Sequence, residues 1–491
     1  MLKPHQRSQN HNTGDTENTG ETETLPSTKT VYSVAAKTAY PSITEAFLVG
    51  LIGLVDNIMV GALGGTLGDN AIAGVGITGQ PRMILFACVF SLNIGVTAVV
   101  ARRKGENNRE KANETLMQSL AVCFFIVIIM GVLGFTFARP LMLFAGAQEN
   151  TQILDFAVQY FRITSVGFVF SSLAMMMNAA QRGSGNTKIS MYTNITANVI
   201  SLVFNYLLIN GNFGFPRLMV SGAAIATVMG NVAAFSICLY KVTAGAKDDS
   251  FLKLRFKNFS ENFKSFTSLK SVANVSLSAF VEQIFMRIGF FTYARLVAGL
   301  NSETVPALAA YTICMQIQNM SFTFADGLSI ASSSLVGRSL GAKRPDMAII
   351  YGKTSQKIGL VISFALFAVI ISGRYFFTGL FTQTEAVMRL CVPIMILIAV
   401  SSPFQISQVV LNGSLRGAGD TKFVAAISFV SIMFIRPVLT WLFCYPMGLG
   451  LIGAWISLVF DQMLRLTLSF RRFTMYSRTS TKTNPKQGAI L

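Results

Sequence analysis

Twelve long apolar runs, separated by short polar breaks, organise this chain. They cover residues 38–62, 78–101, 115–138, 154–181, 187–210, 218–241, 272–299, 307–336, 354–378, 384–413, 422–445 and 448–471. A helix needs ~20 such residues to cross a bilayer. Each run therefore predicts a transmembrane helix, six in each half of the chain.

The two halves repeat one another. Residues 182–188 read RGSGNTK and residues 416–422 read RGAGDTK, an offset of 416 − 182 = 234. Gly105 matches Gly341 (offset 236), Gly222 matches Gly453 (offset 231) and Glu45 matches Glu282 (offset 237). One membrane unit is used twice, and carriers built this way hold their solute in the cleft between the copies. The expected architecture is all-α: twelve transmembrane helices in two pseudo-twofold related six-helix bundles.

Composition agrees with a membrane protein. The chain is 52% hydrophobic and 13% charged, and soluble proteins carry roughly twice that charge. The net charge of +18 invites a nucleic-acid partner, but the basic residues are not gathered into one patch. They fall on alternate loops: Arg102, Arg103, Lys104, Arg109 and Lys111; Lys247, Lys253, Arg255, Lys257, Lys264 and Lys270; Arg338, Lys343, Arg344, Lys353 and Lys357. Opposite loops hold little beyond Arg139, Arg217 and Arg374. The positive-inside rule then puts both termini in the cytoplasm of a plasma (inner) membrane protein. The expected segments are a disordered polar tail (1–35), a first lobe (36–241), a basic linker along the inner surface (242–271), a second lobe (272–475) and a second tail (476–491). Cys88, Cys123, Cys238, Cys314, Cys391 and Cys444 stand singly without metal or redox spacing.

Charged side chains within the runs need a reason to be there, because the bilayer centre penalises them by several kcal/mol. Glu45 and Asp56 share a face of the first span. Glu282 and Arg287 lie in the seventh, Asp326 in the eighth, Arg162 in the fourth, Arg389 in the tenth and Arg436 in the eleventh. Asp461 and Arg465 are i,i+4 in the twelfth and read as a structural pair. Arg162 and Arg436 lack local partners and are expected to close pairs across helices. Asp56 and Glu282 have no basic neighbour on their own face, so each could bind a proton, or ligand Na⁺ with nearby oxygens. The RGxGxTK segments lack P-loop spacing. They read as tight turns whose Arg and Lys face lipid headgroups. No catalytic signature is present: there is no HExxH or GxSxG, and both histidines, His5 and His11, lie in the tail. An enzyme is not expected.

The paired RGxGxTK turns, with VDNIMVG, SGAAIAT, LVGRSLGAKRPD, VEQIFMRIGFFTYARLVAGL and LIGAWISLVFDQMLR, resemble the multidrug and toxic compound extrusion (MATE) transporters, in particular a Firmicutes-type, NorM/DinF-like group. The resemblance runs over about residues 36–475. It implies a cation-coupled antiporter exporting amphipathic, often cationic compounds. No cofactor beyond the coupling H⁺ or Na⁺ is expected, and a monomer is expected. The family's cation-coupling positions fall on Asp56, Ser201, Asn205 and Thr227, with Asp56 a possible Na⁺ ligand and Ser201 where a partner amide is usual. The seventh-span acid falls on Glu282. The family's tenth-span Asp falls on Gln405, which cannot titrate. Glu45, Glu282, Gln405 and Asp326 form the candidate substrate- or cation-binding set. A flippase for lipid-linked sugars or peptidoglycan precursors, from the same superfamily, and a non-transporting membrane receptor are the alternatives.

Overall fold

The computed structural model describes residues 27–61, 65–149, 151–243, 250–254, 267–300, 304–381 and 385–482. The first half holds α1 (Thr28–Gly61), α2 (Gly65–Ile77), α3 (Gly79–Gly105), α4 (Arg109–Thr136), α5 (Ala138–Phe144), α6 (Gln152–Ser184), α7 (Thr187–Leu208) and α8 (Met219–Val242). The second holds α9 (Thr267–Ala298), α10 (Thr304–Gly341), α11 (Pro345–Phe381), α12 (Glu385–Gly417), α13 (Thr421–Phe429), α14 (Arg436–Cys444) and α15 (Gly450–Lys482). A π-helical turn, Val430–Ile435, joins α13 and α14 into one rod.

Among the described residues, each of the twelve apolar runs lies, to within two residues, in one membrane-length helix, counting that rod once. Ten of them among the described residues are apolar enough to span by hydropathy alone. The other two, α1 and α10, run for 34 and 38 residues. Helix boundaries are set locally. The Asn108 side chain caps α4 by accepting from Lys111 N, and the Thr151 hydroxyl caps α6 by accepting from Leu154 N. Gly185, at φ +92°, ends α6 in the left-handed conformation that glycine tolerates. Its mate Gly419 does the same at φ +89° after α12 (419 − 185 = 234).

Within each half one helix is central. α6 packs against α3, α4 and α8, while α12 packs against α10, α11 and α15. The halves meet through α3 with α9 and α10, and through α1 with α10. Small residues allow these approaches, as expected where lipid supplies no hydrophobic drive between helices.

Three expectations about segments change. Residues 28–35 are helical, with Val31 and Ala35 buried, so they do not belong to the expected disordered tail. Helix α15 runs on to Lys482, past the expected start of the second tail. The expected surface linker is anchored where it is described. Leu252 and Leu254 enter the first lobe's core, Leu254 N donates to Val242 O, and Lys253 N donates to Asn113 Oδ1 at 2.8 Å. Sequence polarity hid this, because two leucines among lysines look like surface chain. Residues 1–26, 244–249, 255–266 and 483–491 lie outside the described residues.

Candidate functional site

The two lobes touch first at the repeated glycines. A Cβ on Gly105 would stand 1.9 Å from Arg338 O, and one on Gly341 would stand 2.0 Å from Arg102 O and 3.0 Å from Gly105 Cα. So α3 and α10 cross backbone to backbone at the end carrying the basic loops. Further in, Gly327 abuts Ser42 O and Gly95 abuts Ser276 Oγ, another mirrored pair of inter-lobe contacts (327 − 95 = 232; 276 − 42 = 234). The hydroxyl of Ser334, in the second lobe, donates to Arg182 O in the first at 2.9 Å.

Above this crossing each lobe buries a glutamate on an arginine from its own RGxGxTK turn. Arg182 Nη1 lies 3.3 Å from Glu45 Oε1. Ser190 Oγ donates to the same oxygen at 3.2 Å, and Asn194 Nδ2 donates to it as well. In the other lobe Arg416 Nη2 stands 2.8 Å from both oxygens of Glu282, and Ser428 Oγ donates at 3.0 Å. The match extends to the neutral donors, since 428 − 194 = 234. This corrects two expectations. Arg182 and Arg416 face inward, with 12% and 16% of their side chains exposed, and not toward headgroups. Glu282 is paired, and so is Glu45. The acids lie 137 and 134 residues before their arginines, a separation local pattern cannot bridge.

The second lobe holds a further ionic cluster. Asp461 is fully buried and accepts from Ser431, Arg436 and, at 2.9 Å, Arg465. The π turn explains the geometry: residues five apart share a face there, so Ser431 and Arg436 reach one carboxylate. Arg436 also lies over the rings of Phe290 and Tyr293, at 5.4 and 5.9 Å. In the first lobe the matching point is Gly230 (461 − 230 = 231), packed against Ala197 O and Ser201 Cβ. Their mates are Ser431 and Arg436 (431 − 197 = 234; 436 − 201 = 235). Small residues in one lobe thus correspond to a filled ionic cluster in the other. The cross-helix partner expected for Arg436 is Asp461. Arg162 has none among the described carboxylates; it is exposed and lies 5.5 Å from the Phe135 ring. Arg287 reaches Met83 Sδ at 3.8 Å, and Arg389 pairs with Glu385 at 2.7 Å on the surface.

The first lobe's expected coupling positions are placed as follows. Ser201 and Asn205 are buried on α7. Thr227 lines a small cavity of about 50 Å³ between α3, α6 and α8, and its hydroxyl donates to Ala223 O at 3.0 Å. The side chain of Asp56 lies outside the described residues. Its backbone is in α1, which packs along α7 with Glu45 against Asn194. Asp56 follows Glu45 by 11 residues and Asn205 follows Asn194 by 11, so helix rise puts position 56 level with Asn205. In the second lobe Gln405 is not a free cation ligand, because its Oε1 accepts from Gln318 Nε2 at 2.7 Å. Asp326 is exposed, and among the described residues it forms no ion pair or hydrogen bond.

Two helical lobes related by internal repetition, each burying an ion pair near the seam between them, have the build of a two-fold membrane carrier. The MatE family pattern matches residues 41–207 and again 278–442, once in each lobe, and the chain belongs to that family. The uncharacterized transporter YisQ of Bacillus subtilis is 25% identical over 434 residues, 88% of this chain and 92% of that one. A probable multidrug resistance protein NorM of Thermotoga maritima is 25% identical over 437 residues, 89% and 91% of the two chains. Among solved structures, a MOP superfamily transporter from Pyrococcus furiosus superposes with a TM-score of 0.83 at 21% identity, covering 92% of this chain and 96% of that one. A Vibrio cholerae MATE transporter superposes at 0.82 with 17% identity, covering 92% and 98%.

Proposed function

We propose that this protein is a secondary active exporter, moving amphipathic or cationic compounds out of the cell in exchange for H⁺ or Na⁺. The reading rests on family membership and on one observation above all. The lobes meet at Gly105 and Gly341, beneath mirrored Glu–Arg pairs, so the seam between them is built from equivalent elements of the two copies. Such a body can open on either side by rocking one lobe against the other. The basic end is cytoplasmic in this reading, by the positive-inside rule, so the closed side faces the cytoplasm.

Coupling falls to Asp56 in the first lobe. The second lobe's buried acids, Glu282 and Asp461, already carry guanidinium partners, which leaves them poor proton or Na⁺ sites. Relatives named as probable multidrug resistance proteins support the substrate class. The test is accumulation of a cationic dye such as ethidium in cells with and without the protein. Lower accumulation with the protein supports export; equal accumulation for a panel of cationic and neutral dyes contradicts it.

A further inference from the structure

Asp326 lies on the face of α10 that also carries Asn319, Phe322, Ser333 and Gly337, because steps of four and seven residues return to one side of a helix. The direction of that face is set at its lower end, where a Cβ on Gly337 would stand 3.1 Å from Ala101 Cβ of the first lobe. The next residue along, Gly327, rests on Ser42 O of the first lobe as well. The stripe therefore turns toward the first lobe, on the side where α10 meets α1 and α3. Exposure changes along it: Asn319, Phe322 and Asp326 are open, whereas Ser333 and Gly337 are buried by the crossing helices. Asp326 is thus the last open position above the closed floor.

The charges around it do not cancel. Arg182 and Arg416 are the cations whose fields reach Asp326, and each is already spent on its own glutamate, Glu45 or Glu282. These five groups sum to −1 if all are ionised (two arginines against three carboxylates). The surplus is one-sided. At the offsets of 232 to 236 measured around it, the matching stretch in the first lobe is residues 90–94, FSLNI, which holds no carboxylate. An open carboxylate with a surplus charge, flanked by the exposed ring of Phe322 one turn away, matches a cation that carries apolar groups.

We infer that Asp326 is the anchor for the positive charge of an organic cation in the cleft, with the second lobe supplying this contact alone. The inference rests on the exporter reading and deepens it. Asp326 contacts substrate directly, while the Glu45–Arg182 and Glu282–Arg416 pairs hold the floor beneath it.

The test uses the full chain purified in detergent, with tetraphenylphosphonium as probe, a permanent cation with no proton to exchange. Asp326→Asn should raise its Kd roughly tenfold or more, since a contact between charged partners is lost, and Asp326→Glu should recover most of that loss. Thr323→Lys leaves Asp326 in place and tethers an ammonium one turn away; it should weaken binding comparably, and it serves if the Asn variant does not fold. A Kd for Asp326→Asn, or for Thr323→Lys, within twofold of the unchanged protein overturns the assignment. Gradient-driven efflux by the unchanged protein is measured alongside: efflux with unaltered Asp326→Asn binding rejects only the anchor, whereas absence of efflux rejects the exporter reading on which it rests.

Discussion

Arg182 pairs with Glu45 in one lobe as Arg416 pairs with Glu282 in the other. The two bonds join helices far apart in sequence, and each ties the turn at a lobe's basic end to the helix that opens that lobe's half of the chain. The repeated RGxGxTK motif is therefore a clamp as well as a turn. Its arginine links the end of α6 or α12 to α1 or α9 through the buried ion pair.

Removing one member of either pair leaves a mostly buried charge without its partner. Arg416→Ala should lower stability by roughly 3 kcal/mol, the lower end for a buried pair because Arg416 keeps some access to water. Arg416→Met combined with Glu282→Gln should recover a large part of that loss, because no ion is then stranded. Thermal unfolding of the three variants in detergent decides; a double variant no more stable than Arg416→Ala would show that the pair is not what is lost.

The crossing of α3 and α10 leaves no room for a side chain. Gly105→Ala sets its methyl group 1.9 Å from Arg338 O if nothing moves. The lobes must separate at the basic end, so the closed-floor state should become scarce and transport should drop about tenfold or more. Reactivity of a cysteine at Ser334, buried in that floor, toward an impermeant maleimide in inside-out vesicles should rise in parallel. Unchanged labelling would mean that the crossing does not close the floor.

Much of this architecture was legible in the order of residues. Twelve spans and their pairing into halves follow from apolar length and from repeated motifs, both of which are local. What escaped depended on chain-distant partners. Nothing near Arg182 points to Glu45, and RGSGNTK reads equally well as a lipid-facing turn. The extra residue in the π turn that aims Arg436 at Asp461 leaves no mark in composition. Asp326 was visible as a buried-run acid, but only the Gly337 and Gly327 contacts tell which way its face turns.

Asp461 should be far less tolerant than its mate. With Arg436 and Arg465 both buried on it, Asp461→Asn takes from two guanidiniums the carboxylate they share, and a loss of about 3–5 kcal/mol follows. Gly230→Ala, at the matching point of the first lobe, meets Ala197 O at 2.6 Å. The clash is with backbone, so α8 must shift off α7, but no charge is stranded by it. Expression level and melting temperature of the two variants give the order; a milder loss for Asp461→Asn contradicts the ionic reading of the second lobe.

The connector between lobes is fixed at one point. Leu254→Ala should destabilise the first lobe by about 2–4 kcal/mol, as truncation of a buried leucine does, since Leu254 is 5% exposed. Ser250→Ala, which keeps the backbone carbonyl that accepts from Arg109, should change stability by less than about 0.5 kcal/mol. Equal effects would mean that this segment is only surface chain.

The account stands or falls on coupled export, and proteoliposomes loaded with ethidium test it most directly. Na⁺ and pH gradients are imposed separately, on the unchanged protein and on Asp56→Asn. One of the two gradients should accelerate efflux several-fold with the unchanged protein, and Asp56→Asn, folded and inserted, should lose that acceleration. Efflux indifferent to both gradients, or a full gradient response in Asp56→Asn, would contradict cation-coupled transport through the first lobe.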